Sequence, residues 1–145
     1  MRESRCPSAV AQRGAVAIEF ALVFVLFFMV MYGIVAYGMV FAVQHSLTQA
    51  ASEGARAAVR DVGGLPERMA LAKTTSATAI AWLGGRAPVP QVTSAPCVAT
   101  SFVCVKVLLV YDYLNNPLVP ALPGLGIALP ARLTAQATVQ LDAVY

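Results

Sequence analysis

Few residues of this chain are placed to do chemistry, and the first is a carboxylate in an unfavourable solvent. In RGAVAIEFALVFVLFF, residues 13–28, Glu19 stands near the front of an otherwise unbroken apolar run. At the centre of a bilayer an ionised side chain costs about 2.5–3.5 kcal/mol on insertion scales, and less near the edge. A cut after Gly14 would give that carboxylate a use. Ala15 would become a new amino terminus, and its ammonium and Glu19 would be helix neighbours at i and i+4. Glu19 would also lie by the positive end of the helix. In an assembly the same carboxylate could meet the ammonium of an adjacent subunit, either pairing offsetting desolvation only if the groups are well held. An unpaired Glu19 would then drive a helix to the stagger that supplies a cation. The plainer alternative is a boundary residue whose head rests in the interface of a single-pass anchor.

The remaining reactive groups are sparse. Cys97 and Cys104 are close enough in sequence to staple a small turn, which an oxidising compartment permits. Free buried thiols are the alternative. A zinc site would need four ligands, and the only histidine is His45, beside the apolar run. Cys6 precedes the run and is expected to stay reduced. There is no Gly-rich phosphate loop and no Ser/His/Asp or Cys/His set with an orienting partner, so no enzyme, metal or cofactor is expected. From Gln44 onward seven Lys or Arg face five Asp or Glu with no basic patch, which argues against nucleic acid.

The elements that must position these groups follow from hydropathy. The chain is 145 residues long and 59% hydrophobic with only 12% charged residues, too apolar for an ordinary soluble domain. The excess lies in Phe20 to Val43, which contains no charge and no Asn, Gln, Ser, Thr or Pro. As a helix that run reaches about 36 Å, enough to span a bilayer with modest tilt. Arg2, Arg5 and Arg13 precede it against Glu3. The excess of positive charge predicts a cytoplasmic N-terminus and an external C-terminal region. The helix is expected to continue through HSLTQAASEGARAAVRD, where Leu47, Ala51, Ala55, Ala58 and Val62 form one apolar face, and to stop at Gly63-Gly64. A second helix is predicted from Pro66 to Leu83, with Met69, Ala72, Ile80 and Leu83 buried and Gly84-Gly85 as its stop.

Beyond Ala87 the period changes from helical to two. Val103, Val105, Val107, Leu109, Tyr111 and Tyr113 alternate in one long strand, and Leu133, Ala135, Ala137, Val139, Leu141, Ala143 and Tyr145 in another. Asp112 and Asp142 fall on wet faces. A short strand at Val89 to Thr93 is expected on an edge because of Pro88 and Pro90. Between the long strands lies an apolar, Pro-rich stretch, 114–132. It suits either a partner surface or a cap in which Leu118, Leu122 and Leu125 fold back on the sheet. The fold class is therefore α+β: a long N-terminal helix, a second helix and a small antiparallel sheet. The divisions are 1–14, a cytoplasmic leader; 15–43, a membrane and assembly helix; 44–83, an outer helical region; and 84–145, an outer β-rich region.

Gly14 followed by AVAIEF resembles a type IV prepilin cleavage site, and the adjacent Glu19-Phe20 pair resembles the tight-adherence (Flp) branch. RGAVAIEFALV, YGIVAYGMVFAVQHSLTQAASEGARAAV, and the VYDY strand with its LPGLGI loop resemble the TadE-like pseudopilins, TadE or TadF. The chain departs from that pattern at Val25, where a proline is common, and at Ala36 and Met39, where an acidic residue and Arg often stand. The resemblance implies a bacterial inner-membrane minor pilin or pseudopilin, cut by a prepilin peptidase between Gly14 and Ala15. Its partners would be other pilin-like subunits and the assembly platform, with Glu19 and Phe20 in the assembly register. Gly33, Gly38, Ala50, Ala51 and Gly54 would allow close helix approach. The competing expectation is an unprocessed, signal-anchored binding module in which Glu19 is incidental.

Overall fold

The computed structural model describes residues 12–60, 63–97, 102–120 and 129–141. Most of the leader, Val62, Leu122 and Leu125 of the Pro-rich stretch, and the strand end Asp142 to Tyr145 lie outside the described residues. In chain order the elements are α1 (Gln12–Ala58), α2 (Leu65–Ala79), a 3-10 turn (Ala81–Arg86), β1 (Gln91–Pro96), β2 (Val103–Asp112) and β3 (Arg132–Leu141). The α+β expectation is met. The chain divides into two units, Met1–Gly38 and Met39–Tyr145.

The first unit is the apolar part of α1. Its side chains from Val16 to Met31 are exposed on every side, large hydrophobics included. α1 is, among the described residues, the one helix long and apolar enough to cross a membrane.

The second unit is a three-stranded antiparallel sheet in the order β1-β2-β3, packed against helices. β2 pairs with β3 in a register that sets Val105 opposite Val139 and Asp112 opposite Arg132. The period-two reading holds along this ladder: Val105, Val107, Leu109, Tyr111, Leu133, Ala135 and Leu141 are all buried. They face two successive clusters. Val40, Val43, Leu47, Ala50 and Ala51 of α1 pack with Ile80, Leu83, Leu109, Tyr111, Tyr113 and Leu133. Further along, Ala55 and Ala58 pack with Ala72, Val105, Val107 and Leu141. β3 thus runs in the same sense as α1, from the Val40 end to the Ala58 end, and β2 runs back. Alanine recurs on α1 because a helix with short side chains can lie close to the sheet and to α2.

Several boundaries differ from expectation. α1 ends at Ala58, before Gly63-Gly64; Gly63 instead takes a positive φ of 120° in the connection. α2 ends at Ala79, and the chain continues as a 3-10 turn to Arg86, with Gly84 at a φ of 59°. The Thr/Ser-rich segment is helical, and its hydroxyls are satisfied within the helix by bonds to the preceding turn instead of competing for other backbone groups. Thr74 Oγ1 donates to Leu71 O (3.0 Å), Ser76 Oγ to Ala72 O (2.9 Å) and Thr78 Oγ1 to Thr74 O (2.9 Å). Ala72, Ile80 and Leu83 are buried as expected and Met69 is half-buried. β1 occupies the edge, but at 91–96 instead of 89–93, since pairing with Val103 to Leu108 fixes its position.

The small residues also change role. Ala50, Ala51 and Gly54 are consumed inside this unit and are not free for contact between subunits. A Cβ on Gly54 would collide with Ser76 Oγ and come within 3.0 Å of Ala72 O. Gly54 is therefore the crossing point of α1 and α2. Gly33 and Gly38 have no such neighbour. Overpacking a crossing of this kind costs about 1–3 kcal/mol. Gly54→Val is expected to lower denaturant stability by that amount, whereas Gly38→Val leaves it nearly unchanged; chemical unfolding in detergent would measure both.

Candidate functional site

Gly14, Ala15, Glu19 and Phe20 all lie in the first turns of α1, and all four are exposed. Gly14 and Ala15 are within the first turn, whose amide groups lack intrahelical acceptors. That turn is the part of a helix most easily unwound. Glu19 stands one turn beyond Ala15 on a surface that is otherwise hydrocarbon. Phe20 begins an aromatic ladder at spacing four: its ring centroid is 6.0 Å from that of Phe24, which is 6.4 Å from that of Phe28. The ladder lines one stripe of the helix and sets an aromatic ring next to the Glu19 carboxylate in sequence.

Residues 14–56 match the TadE-like protein family. The match covers the Gly14 to Phe20 motif, the apolar run and the segment up to Arg56, so the resemblance read from those residues is borne out there. No curated protein and no solved structure matches the chain. The one long apolar helix among the described residues suits a single-pass membrane anchor.

The TadE-like segment ends inside the second unit, where the remaining sites lie. Cys97 and Cys104 form a disulfide, with Cα atoms 5.1 Å apart. Beside it, Cys97 N donates to Phe102 O (3.0 Å), and Cys104 pairs with Ala95 on one side and Gln140 on the other. The bond therefore closes the β1–β2 connection at the end of the sheet near Leu141. At the opposite end, Asp112 organises the exit from β2. Its Oδ2 accepts from Asn115 Nδ2 (2.6 Å), Oδ1 from Asn115 N (3.3 Å), and its carbonyl from Asn116 N (3.1 Å). The Asn115 side chain and backbone bonds hold the Asp112 carboxyl below its ordinary value of 3.8. Tyr111 OH donates to Asn116 O (2.6 Å) in the same turn. Burial pushes the Tyr111 phenol above its ordinary 10.0, opposed by the charge of Arg86. His45 is exposed.

Three residues escaped sequence reasoning. Arg68 is buried, donating Nε to Gly63 O (3.1 Å) and Nη1 to Val59 O (3.4 Å), so it ties α2 to the end of α1. Trp82 donates Nε1 to Ser46 Oγ (2.8 Å) across 36 residues of sequence. Gln44 donates Nε2 to Thr134 O (2.9 Å), fastening β3 to α1. Only a partner set by tertiary structure distinguishes these side chains from ordinary surface groups.

Two outcomes test these assignments. The disulfide closes a short loop, its cysteines seven residues apart. Replacing both cysteines by serine is therefore expected to cost about 2 kcal/mol on chain-entropy grounds, read by denaturant unfolding with and without reductant. For Asp112 the folded pKa is depressed, so its contribution is present above 3.8 and is lost as pH falls through the lower folded value. Amide exchange at Asn115 and Asn116 should accelerate in that acid range, and Asp112→Ala should abolish the pH dependence.

Proposed function

We propose that this protein is a minor pilin or pseudopilin of a tight-adherence pilus or a related secretion machine, with a structural rather than an enzymatic role. A prepilin peptidase cuts between Gly14 and Ala15 on the cytoplasmic side of the inner membrane. The mature helix then packs with other pilin-like subunits, and the folded unit on the outer side meets the assembly partners. The observation that carries this reading is the exposed Glu19 on an apolar helix, one turn from Ala15, within a segment that matches the TadE-like family. A carboxylate so placed is costly in lipid and gains most when a cation is brought to it. Cleavage creates that cation, and a neighbouring subunit can deliver it at only one stagger. The disulfide suits an oxidising outer compartment.

N-terminal sequencing of the membrane-bound protein from a host with its own peptidase is expected to begin at Ala15. An intact leader with assembly unimpaired would overturn the proposal in favour of an unprocessed anchor. Glu19→Ala should leave insertion normal and reduce incorporation or co-purification with the pilus subunits. A carboxylate that merely rests in the interface would show no such split.

A further inference from the structure

We infer that the two open edges of the sheet join copies of this chain to one another, the β3 edge of one copy adding a parallel strand to the β1 edge of the next. This joint deepens the proposed assembly role. Its bonding is set by the folded unit alone, and only the shared sense of the copies rests on the anchor.

Hydrogen bonds in an antiparallel ladder alternate, so the groups that each edge leaves open can be assigned. Cys97 N donates to Phe102 O (3.0 Å), continuing the register that sets Pro96 opposite Val103. The bonded pairs of β1 and β2 are therefore Gln91–Leu108, Thr93–Lys106 and Ala95–Cys104. The backbone groups of Pro90, Val92, Ser94 and Pro96 point away from β2. The even residues of β2 are thus spent on β1 and its odd residues on β3, which leaves Thr134, Gln136, Thr138 and Gln140 pointing outward. The bond from Gln44 Nε2 to Thr134 O (2.9 Å) is an independent sign of that parity. Among the described residues, no other group takes the outward N–H or C=O of Val92, Ser94, Gln136, Thr138 or Gln140.

These edges fit each other in one register. With Thr138 beside Thr93, Gln136 N donates to Pro90 O, Val92 N to Gln136 O, Thr138 N to Val92 O, Ser94 N to Thr138 O and Gln140 N to Ser94 O. Pro90 has no N–H to give, and the carbonyl it would face is Thr134 O, which Gln44 already occupies. Prolines ordinarily blunt an edge. Here Pro90 and Pro96 confine the joint to the stretch between them. From Leu133 to Leu141, β3 carries neither a proline nor a charge to discourage pairing.

The side chains agree with that register. On the open face Thr138 lies beside Thr93 and Gln136 beside Gln91, all exposed and uncharged. On the helix side, half-buried Ala137 of one copy lies beside half-buried Val92 of the next. There α2 stands off from β1, leaving a groove of about 510 Å³ lined by Met69, Ala70, Lys73, Val89 and Val92, with room for the small side chains of an added strand. β1 and β3 run in the same sense, so joined copies all present Met39 at the same end, as chains anchored in one membrane require. Pairing β3 with β3 about a two-fold axis would set the Met39 ends opposite. The joint is heterologous and propagates from copy to copy.

Full-length chains carrying Cys6→Ser, so that Cys97 and Cys104 are the only native thiols left, would bear either Thr93→Cys or Thr138→Cys. Both would be co-expressed in the host's membranes and oxidised with copper phenanthroline. Neighbouring strands lie about 4.8 Å apart, within reach of a disulfide. A linked dimer is expected only when both variants are present, and a ladder of larger species when one chain carries both substitutions. Peptide mapping should place the new bond between positions 93 and 138 with Cys97–Cys104 intact. Ser94→Pro removes an outward donor that the β1–β2 ladder does not use. It should cut the linked product about five- to ten-fold while leaving the denaturant midpoint unchanged. Thr138→Cys linking to itself would overturn the joint in favour of two-fold β3 pairing. No linked product from chains whose Cys97–Cys104 bond is intact would overturn it outright. An uncleaved leader with the new link present would overturn the prepilin reading and leave the joint standing.

Discussion

One helix in this protein carries two different apolar patterns, and each can be followed residue by residue. Up to Gly38, α1 is apolar apart from Gln12, Arg13 and Glu19, and its side chains from Val16 to Met31 are all exposed, the pattern that suits a spanning helix. From Ala36 burial becomes one-sided. Val40, Val43, Leu47, Ala50, Ala51, Ala55 and Ala58 recur at threes and fours and are buried, while Thr48, Gln49 and Arg56 are exposed. The rest of the second unit is arranged around that stripe. The sheet presents Leu109, Tyr111 and Leu133 to its first half and Val105, Val107 and Leu141 to its second, larger side chains where α1 carries Val and Leu, smaller ones where it carries Ala.

Against an apolar helix a single carboxylate carries positional information out of proportion to its size. Dispersion between lipid-facing side chains changes little as one helix slides past another, so hydrocarbon contacts specify stagger poorly. A buried charge behaves differently: its energy depends steeply on distance to a counter-charge in a medium of low dielectric. In the proposed assembly the Phe20–Phe24–Phe28 stripe would give area and the Glu19 carboxylate would give register. A costly polar group would then be retained for specificity rather than for stability.

How much of this was legible depended on whether a residue's environment repeats along the chain. The strands could be read because a two-residue period survives from Val103 to Tyr113 and from Leu133 to Leu141 whatever the strands pair with. The continuation of α1 was legible for the same reason. Val40 and Val43 were not separable from the membrane run, since valine looks alike to lipid and to a protein core. Gly54 was read as a residue for contact between subunits because its neighbour, Ser76, lies in another element. The extent of α2 was overestimated because the chain at Ala81 to Arg86 tightens into a 3-10 turn, in which Leu83, like Ile80 before it, keeps the same buried side. Arg68, Trp82 and Gln44 take partners 5 to 90 residues away, at least one of them a carbonyl exposed by a helix end or an edge strand. No pattern in the sequence encodes such a contact.

The sheet has two ends with different chemistry, and the contrast follows from where α1 crosses it. At the Ala58 end the core is thin, built from alanines against Val105 and Val107, and the hydrophobic area available per residue is small. A covalent tie is worth most where burial contributes least, and there the chain places Cys97 and Cys104. At the Val40 end the core is thick, with Tyr111, Tyr113, Ile80, Leu83 and Leu133 enclosing the helix. No staple is needed at that end, and the turn after β2 is held by Asp112, Tyr111 and their bonds to Asn115 and Asn116. The thick end can therefore tolerate exposed Phe41, Trp82 and Leu114, whose area is not required to hold the fold together.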